Sequence, residues 1–423
     1  MHLAFITFIL DRLGLYGGCA IPSILFYLLT RNDTTVGLKR RQYNNDLILW
    51  SVIGLELALP ILYDGKGGDQ IDFAVNATLA NFLSFGMAHF IRDRNTAPAG
   101  TIIEPFYNVL SRWNKRTTNS NNEQKMESKN DVTKQQQQEK EYDIATMRKN
   151  SFQWLLQGCF QVLLTVPFMS VYDGFLRVCQ DPLHEPYMQT FFNGGPQNIP
   201  LKMLWYYANT GIALLGHVVV FPTFVFLWYG VELTFRAILF PSSLQSRHRA
   251  AYDFVQRDPL FDRPWLSTSL HDLWSRRWHQ IFRWAFQGLV YDPIRAMFPK
   301  KKQLGRALGT LGVFLISGLM HDYILAAMFG YSEFLSRPGI AWFQTVFFLL
   351  QGLATIVSSQ NIFRIHPVLG GILTWIFILY TCPLFIEPYL RIGLHHDATI
   401  PGYPQFMDPY LVPLCPYGPK MGI

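Results

Sequence analysis

Residues 308–331 read LGTLGVFLISGLMHDYILAAMFGY. The run is long enough to cross the hydrocarbon layer of a membrane as one helix, which takes about 20 residues. His321 and Asp322 interrupt it, and a charged side chain near the centre of a spanning helix costs about 2.5–3.5 kcal/mol on insertion scales. Because such side chains mostly face protein or water, the stretch predicts a membrane-spanning helix whose polar pair borders an interior site.

Small residues flank this polar pair, and small residues let membrane helices approach each other closely. A reaction chamber around His321 would account for both features. The alternative is that His321 and Asp322 only cap a short helix near the membrane surface, and the spacing leaves both interpretations open. Neutral imidazole suits proton acceptance at neutral pH, because its pKa lies near about 6.5. The small residues are Gly309, Gly312, Ser317 and Gly318.

The composition of the whole chain agrees with a membrane protein. Of its 423 residues, 15% are charged and 50% are hydrophobic, whereas an average soluble domain carries about 25% charged residues. This balance excludes disordered, fibrous and disulfide-scaffold proteins. Apolar runs predict an all-α polytopic membrane protein with about eight transmembrane helices, in a range of about seven to nine. The runs lie at residues 13–30, 46–63, 71–91, 151–171, 201–240, 304–330, 340–358 and 366–386.

Lysine and arginine collect in three segments, and the positive-inside rule places such segments in the cytosol. The 172–200 loop and the tail after residue 387 then lie in the lumen, provided that 201–240 crosses once. We expect a single multi-span membrane domain over residues 1–423, in which 304–386 holds the His321 span and the last two helices. The cytosolic segments are residues 31–45, residues 92–150, with a polar stretch at 114–150 predicted to be disordered, and residues 241–303.

A second informative stretch, residues 269–284, reads SLHDLWSRRWHQIFRW. At helical spacing it separates an apolar from a polar stripe and predicts a cytosolic amphipathic helix. Arg276 and Arg277 carry forked donors that match phosphate oxygens, so they are candidates for holding a phosphorylated carrier. A solvated face at the membrane surface explains the same arginines, and both interpretations stay open. The apolar stripe is Leu270, Trp274, Trp278 and Ile281, and the polar stripe is Asp272, Arg276, His279 and Arg283.

Together the two stretches resemble the membrane-bound O-acyltransferase (MBOAT) superfamily, in its wax-synthase-like branch of fungi and plants. LWSRRWHQ at residues 273–280 is similar to that branch's FWGRRWHQ signature, with Leu for Phe and Ser for Gly. ISGLMHD at residues 316–322 is similar to its S-G-x-x-H element, in the same order and in a later apolar span. The resemblance is confined to residues 264–329 and the multi-span layout, and we expect a fungal member.

The resemblance implies transfer of an acyl group to a hydroxyl group, with His321 as general base. His279 falls on the family's second polar position and would position the acyl group or stabilise the oxyanion. No metal is implied, and no cofactor besides acyl-CoA or acetyl-CoA as co-substrate. The implied partners are acyl-CoA, a hydrophobic alcohol and the lipid bilayer, not nucleic acid. The substrate-binding candidates are Arg276, Arg277, Trp278, Gln280 and Asp322.

From these features we predict a multi-pass enzyme, placed by analogy in the endoplasmic reticulum membrane, that esterifies a hydrophobic alcohol. The expected substrate is a terpenoid or polyketide alcohol that receives an acetyl or other acyl group. One alternative is a wax-ester synthase that uses a long-chain alcohol and fatty acyl-CoA. An alternative of another class is a proton-coupled transporter or lipid-handling protein, in which His321 and Asp322 would form a proton relay.

Overall fold

The structure of the chain is a computed structural model. It describes residues 2–30, 39–62, 70–93, 144–178, 227–239, 261–278, 282–337, 339–359, 366–392 and 405–415. Within these ranges the regular structure is helical and contains no strand. The longer helices are α1 (His2–Thr30), α2 (Lys39–Leu62), α3 (Gln70–Asp93), α4 (Ile144–Val178), α5 (227–239), α6 (Lys302–Phe329), α7 (Phe343–Ser359), α8 (Pro367–Thr381) and α9 (Pro383–Arg391).

Six of the eight apolar runs predicted from the sequence each coincide with one helix. The 366–386 run covers α8 and the first part of α9, and only 227–239 of the 201–240 run is described. Within the described ranges, two helices are long and apolar enough to cross a membrane, Lys302–Phe329 and Pro367–Tyr389. Phe343–Ser359 is also apolar but is shorter. The all-helical class is therefore confirmed, while the number of spans stays a prediction.

The chain divides into two compact units. Both informative stretches of the sequence lie in the first unit, together with α6 to α9. The prediction of one domain over residues 1–423 stays a prediction. The first unit comprises Met1–Pro105, Met169–Gly211 and Arg263–Ile423, and the second comprises Phe106–Phe168 and Ile212–Asp262.

In the second unit, α4 and α5 pack closely because Gly158 has no side chain. A Cβ atom on Gly158 would lie 2.8 Å from the Leu227 backbone. The Arg148 guanidinium donates a hydrogen bond of 3.2 Å to the carbonyl oxygen of Ala237. These contacts stabilise helix from Ile144 onward, so the last seven residues of the predicted disordered segment, 144–150, are helical. Residues 114–143 of that segment lie outside the described ranges.

In the first unit, polar side chains join α1 to its two neighbours. Ser23 donates a hydrogen bond of 2.9 Å to Glu56 of α2, and Asn76 of α3 donates one of 3.0 Å to the Cys19 sulfur. Glu56 is 1% exposed. Because a buried polar group costs free energy unless it is hydrogen-bonded, such pairs hold helices together inside a membrane protein.

Helix α6 crosses α7 at Gly318. A Cβ atom on Gly318 would lie 2.5 Å from the Cα atom of Thr345, so only glycine permits this approach. The predicted role of the small residues in close helix packing is therefore confirmed at this position. One turn further along α6, Asp322 accepts hydrogen bonds from the backbone N–H (3.0 Å) and hydroxyl (2.5 Å) of Thr345, and so caps the start of α7.

The prediction of one continuous amphipathic α-helix over residues 269–284 is wrong. The chain forms an α-helical turn at Leu270–Asp272 and a π-helix at Leu273–Arg277, then leaves the helix at Trp278, whose φ and ψ are −80° and 158°. Because a π turn closes over five residues, Arg276 and Arg277 both reach the same Asp272. Because the helical period changes within the segment, the predicted apolar and polar stripes do not lie along two regular faces of one helix.

Candidate active site

The LWSRRWHQ segment begins at a helix start with two capping bonds. The Ser269 hydroxyl accepts a hydrogen bond of 3.0 Å from the Asp272 backbone N–H, and Asp272 accepts one of 3.2 Å from the backbone N–H of Thr268. This arrangement resembles a capping box, in which side chains satisfy the N–H groups that a helix start leaves without partners. The local sequence S-L-H-D therefore places Asp272 before the two arginines.

Asp272 binds both arginines of the motif. The guanidinium of Arg276 lies 2.5 Å from one carboxylate oxygen and that of Arg277 lies 2.7 Å from the other. The Arg276 side chain is 70% exposed and that of Arg277 is 21% exposed. Because a guanidinium carries five N–H donors, Arg276 can hold Asp272 and still present donors to an anion at the surface.

These charges also shift the pKa values around Asp272. Burial would raise the pKa of Asp272, but the hydrogen bonds from Arg277, Thr268 and Arg276 hold that pKa below its ordinary value. Burial, followed by the nearby charge of Arg276, lowers the pKa of His271, against the opposing effect of Asp272. Asp272 is therefore ionised and His271 is neutral at neutral pH.

Trp274 connects the motif to the helices behind it. Its ring lies 5.8 Å from the rings of Trp278 and Phe314, measured between centroids, and 6.1 Å from that of Phe348. Its indole N–H donates a hydrogen bond of 3.3 Å to the side-chain oxygen of Gln351. The predicted substrate residue Trp278 thus packs on Trp274, and the motif segment docks on α7.

His321 lies on α6 with its ring oriented by the backbone. Its Nδ1 is 2.7 Å from the carbonyl oxygen of Ser317. A carbonyl oxygen only accepts, so Nδ1 carries the hydrogen and Nε2 carries the lone pair of the neutral ring. The ring centroid lies 4.6 Å from that of Phe348 and 5.4 Å from that of Phe385.

Phe348 brings the two sequence motifs together. Its ring contacts His321 on α6 and Trp274 of the LWSRRWHQ segment. One aromatic ring therefore separates the candidate base from the motif, although the two stretches lie apart in sequence. The arrangement supports a shared site and disfavours the interpretation in which His321 only caps a helix, because His321 lies inside α6 and not at its end.

The sequence analysis missed the residues of α7 that build this site. Phe348 and Gln351 lie on one face of α7, since residues three apart are neighbours on a helix. Gln344 and Gln351 are both fully buried, and Gln344 donates a hydrogen bond of 2.6 Å to the carbonyl oxygen of Phe385. Two glutamines two turns apart in an apolar helix are the signal that could have indicated a buried polar face.

Three further site residues were predicted from the sequence, namely Asp322, His279 and Gln280. Asp322 holds the start of α7 through Thr345, and its predicted role in substrate binding stays a prediction. His279 and Gln280 lie outside the described residues. Within the described part of the chain, no group of three or more His, Cys, Asp or Glu side chains is placed to hold a metal ion.

Comparison with known proteins matches this region to a family. Residues 257–363 match the profile described as "Membrane bound O-acyl transferase family". That range contains the LWSRRWHQ segment, His321 and the whole of α7, which ends at Ser359. The match therefore covers the elements that build the site described above.

Individual relatives are plant enzymes. "Probable long-chain-alcohol O-fatty-acyltransferase 1" of Arabidopsis thaliana is 30% identical over 33% of this chain and 42% of its own length. "Long-chain-alcohol O-fatty-acyltransferase" of Simmondsia chinensis is 30% identical over 46% of this chain and 54% of its own. "Acyl-CoA--sterol O-acyltransferase 1" of Arabidopsis thaliana is 28% identical over 40% of this chain and 49% of its own length.

The chain thus spans about half the length of these three relatives, between 42% and 54%. Their names give long-chain alcohols and a sterol as acceptors, so they do not support the predicted terpenoid or polyketide alcohol and agree better with the wax-ester alternative. They do not test the predicted fungal origin. On the matched profile and these relatives, residues 257–363 of the chain are similar to the membrane-bound O-acyltransferase family.

Proposed function

We propose that this protein is an acyl-CoA-dependent O-acyltransferase that esterifies a long-chain alcohol with a fatty acyl group. The observation that carries the proposal is the orientation of His321, whose Nδ1 faces the Ser317 carbonyl while its ring contacts Phe348. Phe348 in turn contacts Trp274 of the family motif. The names of the relatives support an alcohol as acceptor and acyl-CoA as donor.

The reaction follows from the protonation state of His321. Nε2 takes the proton of the alcohol hydroxyl while the alcohol oxygen attacks the thioester carbonyl carbon. The C–S bond then breaks, and the CoA thiolate leaves and takes the proton from the imidazolium. The products are an ester and CoA, and His321 returns to its neutral form. A thioester is already activated, so the residues of the site need only position the reactants and move one proton.

The other site residues have roles in binding. The exposed guanidinium of Arg276, with Arg277 beside it, would bind the phosphates of the CoA carrier. Trp278 and Gln280 would border the acyl group, and His279, which follows Trp278 in sequence, would position that group or stabilise the oxyanion. Asp322 would contribute by holding α7, and with it Phe348, beside His321.

The proposed setting is a multi-pass protein of the endoplasmic reticulum membrane with about seven to nine spans. Acyl-CoA would reach the LWSRRWHQ segment from the cytosol, and the alcohol would enter from the bilayer. The apolar character of α6 and of the helix pair at Pro367–Tyr389 supports a membrane setting. In such a setting, an apolar alcohol from the bilayer and a soluble thioester from the cytosol could reach the same site.

The test is an ester-formation assay on purified protein. We expect His321→Ala to leave a folded protein whose turnover is at least about a hundredfold lower, because positioned general-base catalysis contributes about 10²–10⁴-fold. His366→Ala is the matched control, since His366 is exposed at the start of α8. Near-normal turnover of the His321 variant would remove this residue from the mechanism.

The acceptor is identified in the same assay with labelled fatty acyl-CoA and acetyl-CoA. We expect the highest rate with a long-chain alcohol and fatty acyl-CoA. A preference for terpenoid or polyketide alcohols with acetyl-CoA would restore the expectation drawn from the sequence. Histidine-dependent solute flux across vesicles, without ester, would favour a proton-coupled transporter instead.

A further inference from the structure

Gln351 is a fully buried amide in the middle of α7. The mechanism proposed above does not use it. A buried amide costs free energy unless its donors and acceptor are hydrogen-bonded, and this cost grows where no water is available. A glutamine at this position therefore requires partners, and both ends of the amide have one.

The two partners fix the orientation of the amide. The side-chain oxygen of Gln351 accepts the 3.3 Å hydrogen bond from the Trp274 indole N–H, and its nitrogen donates a bond of 2.7 Å to the Thr381 hydroxyl. The Thr381 hydroxyl in turn donates a hydrogen bond of 2.8 Å to the carbonyl oxygen of Phe377. Turning the amide over would set its NH₂ group against the indole N–H, two donors facing each other.

The position of Trp274 affects His321 through one ring. Trp274 and His321 contact the same ring, Phe348, one turn before Gln351 on the same face of α7. Gly352, next to Gln351, has no side chain, and a Cβ atom there would lie 3.0 Å from Phe314, the other ring that Trp274 contacts. A shift of Trp274 would therefore move the rings that border the candidate base.

The geometry points to Gln351 as a positioning residue for acyl transfer. Its amide ties Trp274 of the LWSRRWHQ segment to Thr381 at the end of α8 and so keeps that segment in register with His321. This inference rests on the proposed function. Gln351 acts through Trp274, which places it outside the group of catalytic residues. Its effect on rate follows from geometry, because displacements of about 1 Å can cost as much as about 10²-fold.

A double-mutant cycle tests the link between Gln351 and Trp274. Gln351→Met keeps the length of the side chain but removes both hydrogen bonds, and Trp274→Phe keeps an aromatic ring but removes the indole N–H. We expect each single variant to lower kcat by about tenfold in folded protein, and the double variant to be no slower than the slower single one. Effects that multiply, or unchanged kcat values, would overturn the inference.

Two threonines of α8 provide a matched comparison that does not change Gln351. Thr381 and Thr374 are both buried, and each donates a hydrogen bond of 2.8 Å to the carbonyl oxygen four residues earlier. Thr381 also accepts from Gln351. We expect Thr381→Val to lower kcat severalfold and Thr374→Val to match the wild type. Equal kcat values for the two valine variants would contradict the inference even if Gln351→Met does not fold.

The readouts separate a positioning role from a structural one. A structural role lowers the yield or melting temperature but leaves kcat per folded molecule unchanged, whereas a positioning role lowers kcat in protein that melts normally. His321→Ala in the same assay separates the two proposals. If that variant is inactive while the Gln351, Trp274 and Thr381 variants keep wild-type kcat, the inference fails and the proposed function stands. If it retains full activity, the proposed function fails first.

Discussion

His321 and Asp322 are neighbours in sequence with different tasks. Successive residues of an α-helix point about 100° apart, so His321 faces Phe348 and Phe385 while Asp322 faces Thr345 at the start of α7. The histidine is oriented by a backbone carbonyl, that of Ser317. Because a side-chain substitution at Ser317 cannot remove that carbonyl, the tautomer of His321 depends on the helix itself.

Asp272 makes the stability of the motif segment dependent on pH. Its pKa is lowered in the folded protein, so its contribution is complete above the pKa of an unfolded aspartate, about 3.9, and is lost as the pH falls through the lower folded value. We expect the melting temperature of the wild type to exceed that of Asp272→Asn by a constant amount between about pH 7 and 5. The difference shrinks below about pH 4.

The control for this measurement is Glu333→Gln. Glu333 forms an ion pair with Arg337 in which both side chains are more than half exposed, and exposed pairs contribute little, about 0–1 kcal/mol. We therefore expect only a small difference between the wild type and this variant over the same pH range. A difference for Asp272→Asn that is constant down to pH 3 or grows on acidification would contradict the assigned pKa direction.

Among the helices, α7 supports both halves of the candidate site. Its start is capped by Asp322 of α6, its middle holds the motif through Gln351, and its end accepts a hydrogen bond of 3.1 Å at Ser358 from the backbone N–H of His271. Three anchors along a single helix keep α6 and the LWSRRWHQ segment in a defined relation.

The crossing of α6 and α7 at Gly318 predicts a strong effect of a single methyl group. Gly318→Ala places a Cβ atom 2.5 Å from the Thr345 backbone, and overpacking of this kind costs about 1–3 kcal/mol. We expect a lower melting temperature and lower ester formation, because the shift moves α7 away from His321. Both are measured on detergent-purified protein.

Gly54→Ala is the matched substitution on α2. Nothing lies within 4 Å of a Cβ atom on Gly54, and alanine favours a helix over glycine by about 0.8–1 kcal/mol. We expect wild-type activity and an equal or higher melting temperature for this variant. If Gly318→Ala behaves in the same way, the close crossing does not exist in solution.

For the whole molecule, the sequence predicts that the motif and the tail after residue 387 lie on opposite sides of the membrane, and the proposed function requires the motif to face the cytosol. Acyl-CoA is soluble in the cytosol, so the LWSRRWHQ segment must be reached from there. The charge distribution of the sequence predicts this orientation. The helix pair at Pro367–Tyr389 is long enough to return the chain to the other side.

Glycosylation tags test this orientation. A tag inserted after Lys301 should stay unmodified, whereas one inserted after Tyr410 should gain a glycan that a glycosidase removes, because N-glycosylation occurs in the lumen. Both positions are exposed. The parent chain is the control for its own two sequons, which start at Asn32 and Asn76. Asn76 lies within α3 and is 2% exposed. A glycan on the Lys301 tag would reverse the predicted topology.

Hydrophobic patterning was sufficient to predict the helices, because long apolar runs partition into a membrane only when their backbone groups are hydrogen-bonded within a helix. It also singled out His321, since an ionisable residue in such a run stands out against its surroundings. The family resemblance, carried by local motifs, could likewise be predicted from short stretches.

The irregular parts of the site could not be predicted in this way. The π-helix at Leu273–Arg277 forms where Asp272 accepts hydrogen bonds from two arginines. A prediction from α-helical periodicity assumes that the helical period stays constant, so it misses such a π-helix. The residues of α7 gain their roles from partners far away in sequence, as Gln351 does from Trp274 and Thr381. Apolar length and local motifs are properties of the chain, whereas the pairing of buried polar groups depends on how the helices pack, because only packing brings distant donors and acceptors within bonding distance.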